Sequence, residues 1–238
     1  MRDSVERAVT WLDRYLNLSD FDDVSNNSLQ IAREGDALSL VAFGVDASVA
    51  FIREAAAAGA QLCVVHHGIS WGGGIKRITG SEFRVVKAAM ENNIALYAAH
   101  LPLDAHREVG NNAILARQLG LANLRRAFSY HGNVIGVTGA ASETGKKKIG
   151  DAEVSLKKGE KVGVCSGGAG EFAVEAKKLG CDTFVTGEAS WGERIAAENV
   201  GMKMVLAGHY ATETCGVKAL SEKMSSELGV KTVFIGRK

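Results

Sequence analysis

The sequence predicts an α/β protein with several buried strands. Three observations carry this. Short apolar segments alternate with segments of helical periodicity. Histidines and carboxylates stand where several of those apolar segments end. The chain, 238 residues and 46% hydrophobic, is long enough to bury one large core or two small, closely packed ones.

The elements follow in order. Val5, Ala8, Val9, Leu12 and Leu16 recur at helical spacing and predict a first helix over 5–16. A polar loop, 20–30, precedes a strand over 38–45. Ser48 to Ala58 predicts a helix that stops at Gly59. The apolar strand Leu62-Cys63-Val64-Val65 runs directly into His66-His67-Gly68. A helix over 81–92, a strand over 94–99 ending at His100, and a helix over 110–119 complete this stretch. Beyond it, 134–140 and 152–156 read as strands around a polar turn, 142–148. Within that turn Lys146-Lys147-Lys148 reads as a solvated hairpin tip rather than an anion patch. The segment 162–170 runs from a strand into a helix over 171–179. Its backbone N–H groups could receive an anion, but it matches no phosphate-binding glycine motif, and tight packing explains it equally well.

Composition excludes several classes of function. Twenty-eight basic residues against 27 acidic ones leave a net charge of +1, too little for a strong nucleic-acid-binding field. No apolar run approaches the ~18 residues of a membrane span. The stretch Met1 to Arg7 lacks the apolar core of a secretion signal, so the expected location is cytoplasmic. Cys63, Cys165, Cys181 and Cys215 are widely spaced, which argues against a disulfide scaffold or a zinc ribbon. Cys215 has no evident base partner to make it a nucleophile, and His131, in a Tyr-His-Gly-Asn turn, reads as structural.

An internal repeat organises the rest. Residues 55–72 read AAAAGAQLCVVHHGISWG and residues 176–192 read AKKLGCDTFVTGEASWG. Residues 95–104, ALYAAHLPLD, likewise match 204–213, MVLAGHYATE, pairing His100 with His209 and Asp104 with Glu213. The preferred reading is a duplication whose two halves present polar strand tips to a shared cleft. Ligands bind α/β sheets beyond the carboxyl ends of the strands, where His66, His67, His100, Asp104, Glu188, His209 and Glu213 all fall. Imidazole with carboxylate suits divalent Zn, Fe, Mn, Co or Ni. Three histidines and two carboxylates exceed the three protein ligands of a usual catalytic zinc, and a carboxylate can bridge two ions. Trp71 and Trp191 could stack on a ligand, although covering a core is the commoner use of such residues.

These same residues resemble a known family, the NIF-three-like or YbgI-type dinuclear-metal proteins, often labelled GTP cyclohydrolase type 2 homologues. Asn27-Ser28-Leu29-Gln30-Ile31 resembles the family's Asn-Gly-Leu-Gln-Val element, with Ser28 in place of glycine. Val65-His66-His67-Gly68 resembles its double histidine, with Gly68 where proline is usual. His100-Leu101-Pro102-Leu103-Asp104, Thr186-Gly187-Glu188 and Gly208-His209-Tyr210-Ala211-Thr212-Glu213 match three further elements. The resemblance spans nearly the whole chain. It implies two intertwined α/β lobes, approximately 1–125 and 126–238, with the metal site in the cleft between them and no inserted middle domain. It implies His66, His67, Asp104, His209 and Glu213 as ligands of two divalent ions, with Glu188 and His100 as accessory or proton-transfer groups. It also implies a homohexamer built as a trimer of dimers. The expected function is a metal-dependent hydrolase using a metal-activated water on a small molecule, such as a nucleotide or related heterocycle. The alternative is a non-catalytic metal-binding protein, such as an iron or metal-cofactor chaperone or a protein-interaction scaffold.

Overall fold

The computed structural model describes residues 4–237. The beginning of the Met1–Arg7 stretch therefore lies outside the described residues, as does Lys238. In chain order the elements are α1 Val5–Tyr15, β1 Ser28–Ile31, β2 Leu40–Asp46, α2 Val49–Ala58, β3 Leu62–His67, α3 Gly80–Glu91 and β4 Ala95–Ala98. Next come α4 Leu101–Ala105, α5 Asn111–Gln118, β5 Leu121–Tyr130, β6 Asn133–Ala141, β7 Gly145–Ile149, β8 Ala152–Leu156 and β9 Lys161–Val164. The chain ends with α6 Ala173–Lys178, β10 Thr183–Thr186, α7 Trp191–Asn199, β11 Lys203–Leu206, α8 His209–Leu228 and β12 Lys231–Phe234. These elements form two compact units, one bounded Met1–Leu103 with Val217–Lys238, the other Asp104–Gly216.

The first unit holds a five-stranded sheet in the order β1-β4-β3-β2-β12. Strands β4, β3, β2 and β12 run parallel, and β1 is antiparallel to β4. Parallel sheets need cover on both faces, and their strands accordingly read as continuous apolar runs. One face, with Ala42, Cys63, Val65, Leu96 and Ala98, packs against Phe51, Ile52 and Ala55 of α2 and Val85, Ala88 and Ala89 of α3. The alternate residues Val41, Phe43, Leu62, Val64 and Tyr97 are buried as well. The first and second helices begin as the sequence predicts. Ser4 and Ser48 accept N-cap bonds from Arg7 and Phe51, and Gly59 ends α2 in the left-handed conformation.

The second unit holds another five-stranded sheet, β11-β10-β9-β6-β5, and the two-stranded β7-β8 ribbon. Strands β9, β10 and β11 are parallel, while β6 runs antiparallel to β9 and β5. Helix α5 and the ribbon cover one face through Leu115, Ala116, Leu119, Ile149, Val154 and Leu156. Phe128 packs edge-on to Phe184, with ring centroids 5.3 Å apart. That ring fills space left by two glycines, since a Cβ on Gly136 or Gly163 would stand 2.5 or 2.8 Å from it.

Each unit thus contains the strand–helix–strand run that the internal repeat outlines. Two readings from the sequence change. The three lysines form no hairpin tip: they lie in β7, paired with β8, where Lys146 meets Glu153 at 2.9 Å. The ten-residue strand β5 was not read from the sequence. It joins β6 through a two-residue turn, His131-Gly132, with φ of 47° and 79°. Those angles suit the type I′ hairpin turn and give His131 a structural role.

Ser28 occupies the position where the family element carries glycine, and its φ is 85°. A side chain there costs about 1–2 kcal/mol, partly offset by the bond from Ser28 Oγ to Asp13 Oδ2 at 3.1 Å. Ser28→Ala loses that bond and keeps the strain, whereas Ser28→Gly removes both. Urea unfolding should therefore find Ser28→Gly more stable than Ser28→Ala by roughly 1–2 kcal/mol. Equal stabilities would mean that the backbone here is not strained.

Candidate metal centre

In the first unit the site grows from the carboxyl ends of three neighbouring parallel strands. Register pairs Asp46, the last residue of β2, with His67, the last residue of β3. The backbone ladder continues past the strands, as Ala47 N–H donates to His67 O at 2.9 Å and Ala99 N–H to Val65 O at 3.0 Å. His66 is buried and His67 half-buried. Successive strand residues normally face opposite ways, but here the strand is ending, and the two rings stand 4.6 Å apart, centroid to centroid. His100, just beyond β4, brings a third ring 5.1 Å from His66. The ligand atoms of His66, His67 and His100 all lie within 4.8 Å of one another, so the three could hold a metal ion.

Each of these rings is held through Nδ1. His66 Nδ1 lies 2.9 Å from the Ala99 carbonyl oxygen, His67 Nδ1 2.9 Å from Asp46 Oδ1, and His100 Nδ1 3.0 Å from Asp23 Oδ1. An Nδ1–H donated to oxygen leaves the lone pair on Nε2, the tautomer a metal ligand needs. Asp23 is the centre of this support. It also accepts from Ser25 N–H, Leu101 N–H and Asn27 Nδ2. Burial works against its charge, but His100, Asn27 and Ser25 outweigh that and bring its carboxyl down to about 2. Asn27 Oδ1 accepts from His100 N–H at 2.8 Å, giving the first residue of the Asn-Ser-Leu-Gln-Ile element a positioning task.

In the second unit the carboxylates dominate. Loop backbone extends the ladder beyond β9, β10 and β11, with Gly187 N–H donating to Gly167 O at 2.9 Å and Gly208 N–H to Gly187 O at 2.8 Å. Gly208, at φ 89°, ends this extended run one residue before His209 opens α8. His209 and Glu213 share a helix face, with Nε2 3.0 Å from Oε1. Glu188 reaches His209 Nδ1 at 2.9 Å. The hydrogen bond to Glu213 leads in raising the His209 pKa to about 9; burial opposes it, and the Glu213 charge and Glu188 assist. A cation taking Nε2 must displace that proton. Gly167 lies against this pair, and a Cβ there would collide with Glu213 Oε1 and stand 3.3 Å from His209 Nε2.

Asp104 is buried and accepts on Oδ1 from Asn111 Nδ2 at 2.8 Å and Ser166 Oγ at 2.9 Å. Asn111 also accepts from Gly216 N–H in α8, and Asn112 joins Ser166 N–H to the Ile135 carbonyl. These bonds settle the glycine-rich segment after β9. The N–H groups of Ser166, Gly167 and Ala169 go to Asn112, Thr212 and Thr186, so the segment is a packing element. Burial leads in raising all four thiols, those of Cys63 and Cys215 to about 12, which fits apolar packing and no nucleophile.

The structure therefore gathers His66, His67 and His100 at the strand tips of one unit. It gathers Glu188, His209 and Glu213 at those of the other, where Asp104 has its own polar frame. Sequence reading missed Asp23, Asp46, Asn111, Asn112 and Ser166. Asp46 had a legible signal, a carboxylate ending the strand before the His-His strand. The buried asparagines had little, since polar residues at a helix start are commonplace.

An α/β protein with strand-tip histidines anchored at Nδ1, and carboxylates beside them, has the donor chemistry for divalent cations. The chain belongs to the Duf34/NIF3 (NGG1p interacting factor 3) family, whose pattern it matches over residues 4–238. Relatives called GTP cyclohydrolase 1 type 2 homolog occur in Archaeoglobus fulgidus, 40% identical over 98% of this chain and 97% of that one, and in Pyrococcus horikoshii, 38% identical over 97% and 96%. The solved structure of the protein ybgI, described as of unknown function, is 30% identical with a TM-score of 0.86, covering 100% of this chain and 99% of that one.

Removing the anchor of one ring tests this reading of the histidines. Asp46→Asn should weaken Zn²⁺ binding roughly 10- to 100-fold, measured by competition with a chromogenic chelator, while the circular dichroism spectrum stays unchanged. Unchanged affinity would remove Asp46 from the support of the site.

Proposed function

We propose that the protein is a hydrolase dependent on two divalent ions, held by His66, His67, Asp104, His209 and Glu213, acting on a nucleotide or related heterocycle. One observation carries the reading: every histidine of the set is anchored at Nδ1 by a protein oxygen, which turns Nε2 of His66 and His67 to an electrophile and leaves His209 Nε2, facing Glu213, to exchange its proton for one. The name of the relatives, GTP cyclohydrolase 1 type 2 homolog, supports the substrate class. The proposal includes the homohexamer that the resemblance implies and a cytoplasmic location.

When bound, such ions supply Lewis acidity and acidify water near neutral pH. The chain's own residues do the rest. Asp46 and the Ala99 carbonyl hold the imidazole tautomers. Asn111 and Ser166 fix the Asp104 carboxylate, and Gly167 leaves room for that of Glu213. Glu188, bound to His209 through Oε1, has a second carboxylate oxygen that can take a proton from the attacking water and return it to the leaving group. His100, steadied by Asp23 and Asn27, is the second proton-handling group.

Elemental analysis of protein purified without chelator should find about two ions per chain, and His209→Ala/Glu213→Ala should lose them. Glu188→Gln, assayed with metal in excess so that a weaker hold on His209 does not count, should lower turnover of GTP by roughly 10²- to 10⁴-fold. Metal without turnover of GTP, other nucleotides, phosphoesters or amides would favour the non-catalytic reading, a metal chaperone or scaffold. A chain that takes up no Fe, Mn, Zn or Co after anaerobic reconstitution would overturn both.

A further inference from the structure

Trp71 stands beside the three histidines of the first unit. Its ring meets His100 edge to face at 5.2 Å and lies 6.1 Å from His67. The side chain does not owe this position to burial, for the residue is 38% exposed. Hydrogen bonds of its ring and of its loop place it. The indole Nε1–H donates to the Gly68 carbonyl at 3.0 Å, which fixes the ring plane. The backbone at Trp71 forms an antiparallel bridge with Ser25, and Gly72 N–H donates to Val24 O at 2.6 Å. Gln30 Oε1 accepts from Ile69 N–H and Ser70 N–H just before it. The stretch that fixes Trp71 is therefore the one whose Asp23 and Asn27 fix His100.

We propose that Trp71 is a stacking platform for the flat heterocyclic ring of the ligand, a nucleobase, whose polar end engages the histidine cluster. An exposed indole whose N–H is already bonded to protein has its π face left as its means of recognition. Stacking on such a face suits any planar base and discriminates against ligands that lack a ring. The proposal names the substrate class for the site described above and rests on that reading only for the metal. The second Ser-Trp-Gly gives a contrast: Trp191 is 72% exposed at the start of α7 and faces the Arg194 guanidinium at 5.4 Å.

The test is isothermal titration of the full-length protein with GMP and with ribose 5-phosphate, in wild type, Trp71→Leu and Trp71→Phe. Each is run metal-loaded and after chelation, with metal content measured in parallel. Trp71→Leu keeps apolar bulk without a ring, and Trp71→Phe keeps a ring. The expected result is a loss of roughly 5- to 100-fold in GMP affinity for Trp71→Leu. Trp71→Phe should stay within a few-fold of wild type, with ribose 5-phosphate binding and metal content unchanged. Equal losses for GMP and ribose 5-phosphate, equal losses in Leu and Phe variants, or no GMP binding by wild type would each overturn the proposal. If wild type holds no metal, the hydrolase reading fails by itself. GMP binding to that protein with the same dependence on Trp71 would still support the platform.

Discussion

The hydrogen bond at Nδ1 is the constraint on which the site rests. A neutral imidazole carries one N–H and one lone pair, and whichever atom bonds the N–H decides where the lone pair points. For His66, His67 and His100 the partners are the Ala99 carbonyl, Asp46 and Asp23, while His209 is held at both nitrogens, by Glu188 and Glu213. Two of these come from sheet register. Asp46 stands opposite His67 because β2 and β3 pair in parallel with that alignment, and Ala99 follows β4, which pairs with β3. A slip of one residue would turn every side chain of a strand to the other face. It would separate each histidine from its anchor. Side-chain size opposes such a slip: it would turn Phe43 and Tyr97 to the face where Ala42 and Ala98 pack under α2 and α3, so core packing holds His66 and His67 beside their anchors.

The two units apply the same strand arrangement to different ligand chemistry. In each, three parallel strands end side by side and the loops after them continue the ladder. In the first, the middle strand ends in two imidazoles. In the second, the middle strand ends in Thr186 and Gly187 follows it, and glycine is required there: a Cβ on Gly187 would come within 2.6 Å of the Gly167 carbonyl and 2.8 Å of His209 Cα. Small residues bring the backbone close enough for His209 and Glu213 to be served from helix α8. The buried carboxylate of Asp104, whose charge would be costly without polar neighbours, receives Asn111 and Ser166.

What the sequence revealed divides along physical lines. Helices α1 and α2 and the Gly59 stop are local features, and local chemistry announces them. The histidines and carboxylates at strand ends were legible because apolar runs stop there. Strand β5 was hidden because most of its residues are exposed and two sit at irregular backbone, Asn123 and Phe128, both at positive φ. The lysine run was misplaced because charge marked it as a turn, whereas the turn of that ribbon lies after Ile149. Asp23 and Asn27 support His100 across more than 70 residues of sequence. No spacing rule connects positions that far apart.

The Ser-Trp-Gly repeat shows how equal sequence takes unequal structure. Ser190 caps α7 and forms a reciprocal capping box with Glu193, so the chain enters a helix and Trp191 lies in its first turn. Ser70 precedes a tryptophan in a non-helical loop, held to residues 24–26 by backbone bonds. The difference begins at the strand tips. After His66 and His67 comes Gly68, where a Cβ would collide with the Gln30 amide and stand 2.6 Å from Ala98 Cβ. Gln30 packs there because its oxygen serves the next two N–H groups, and those bonds lead the chain along residues 24–30 instead of into a helix. The second copy bears Glu188 at the corresponding position, and its side chain turns to His209. One glycine and the glutamine opposite it thus separate a loop that brings an indole to the histidines from a helix that carries its tryptophan into solvent.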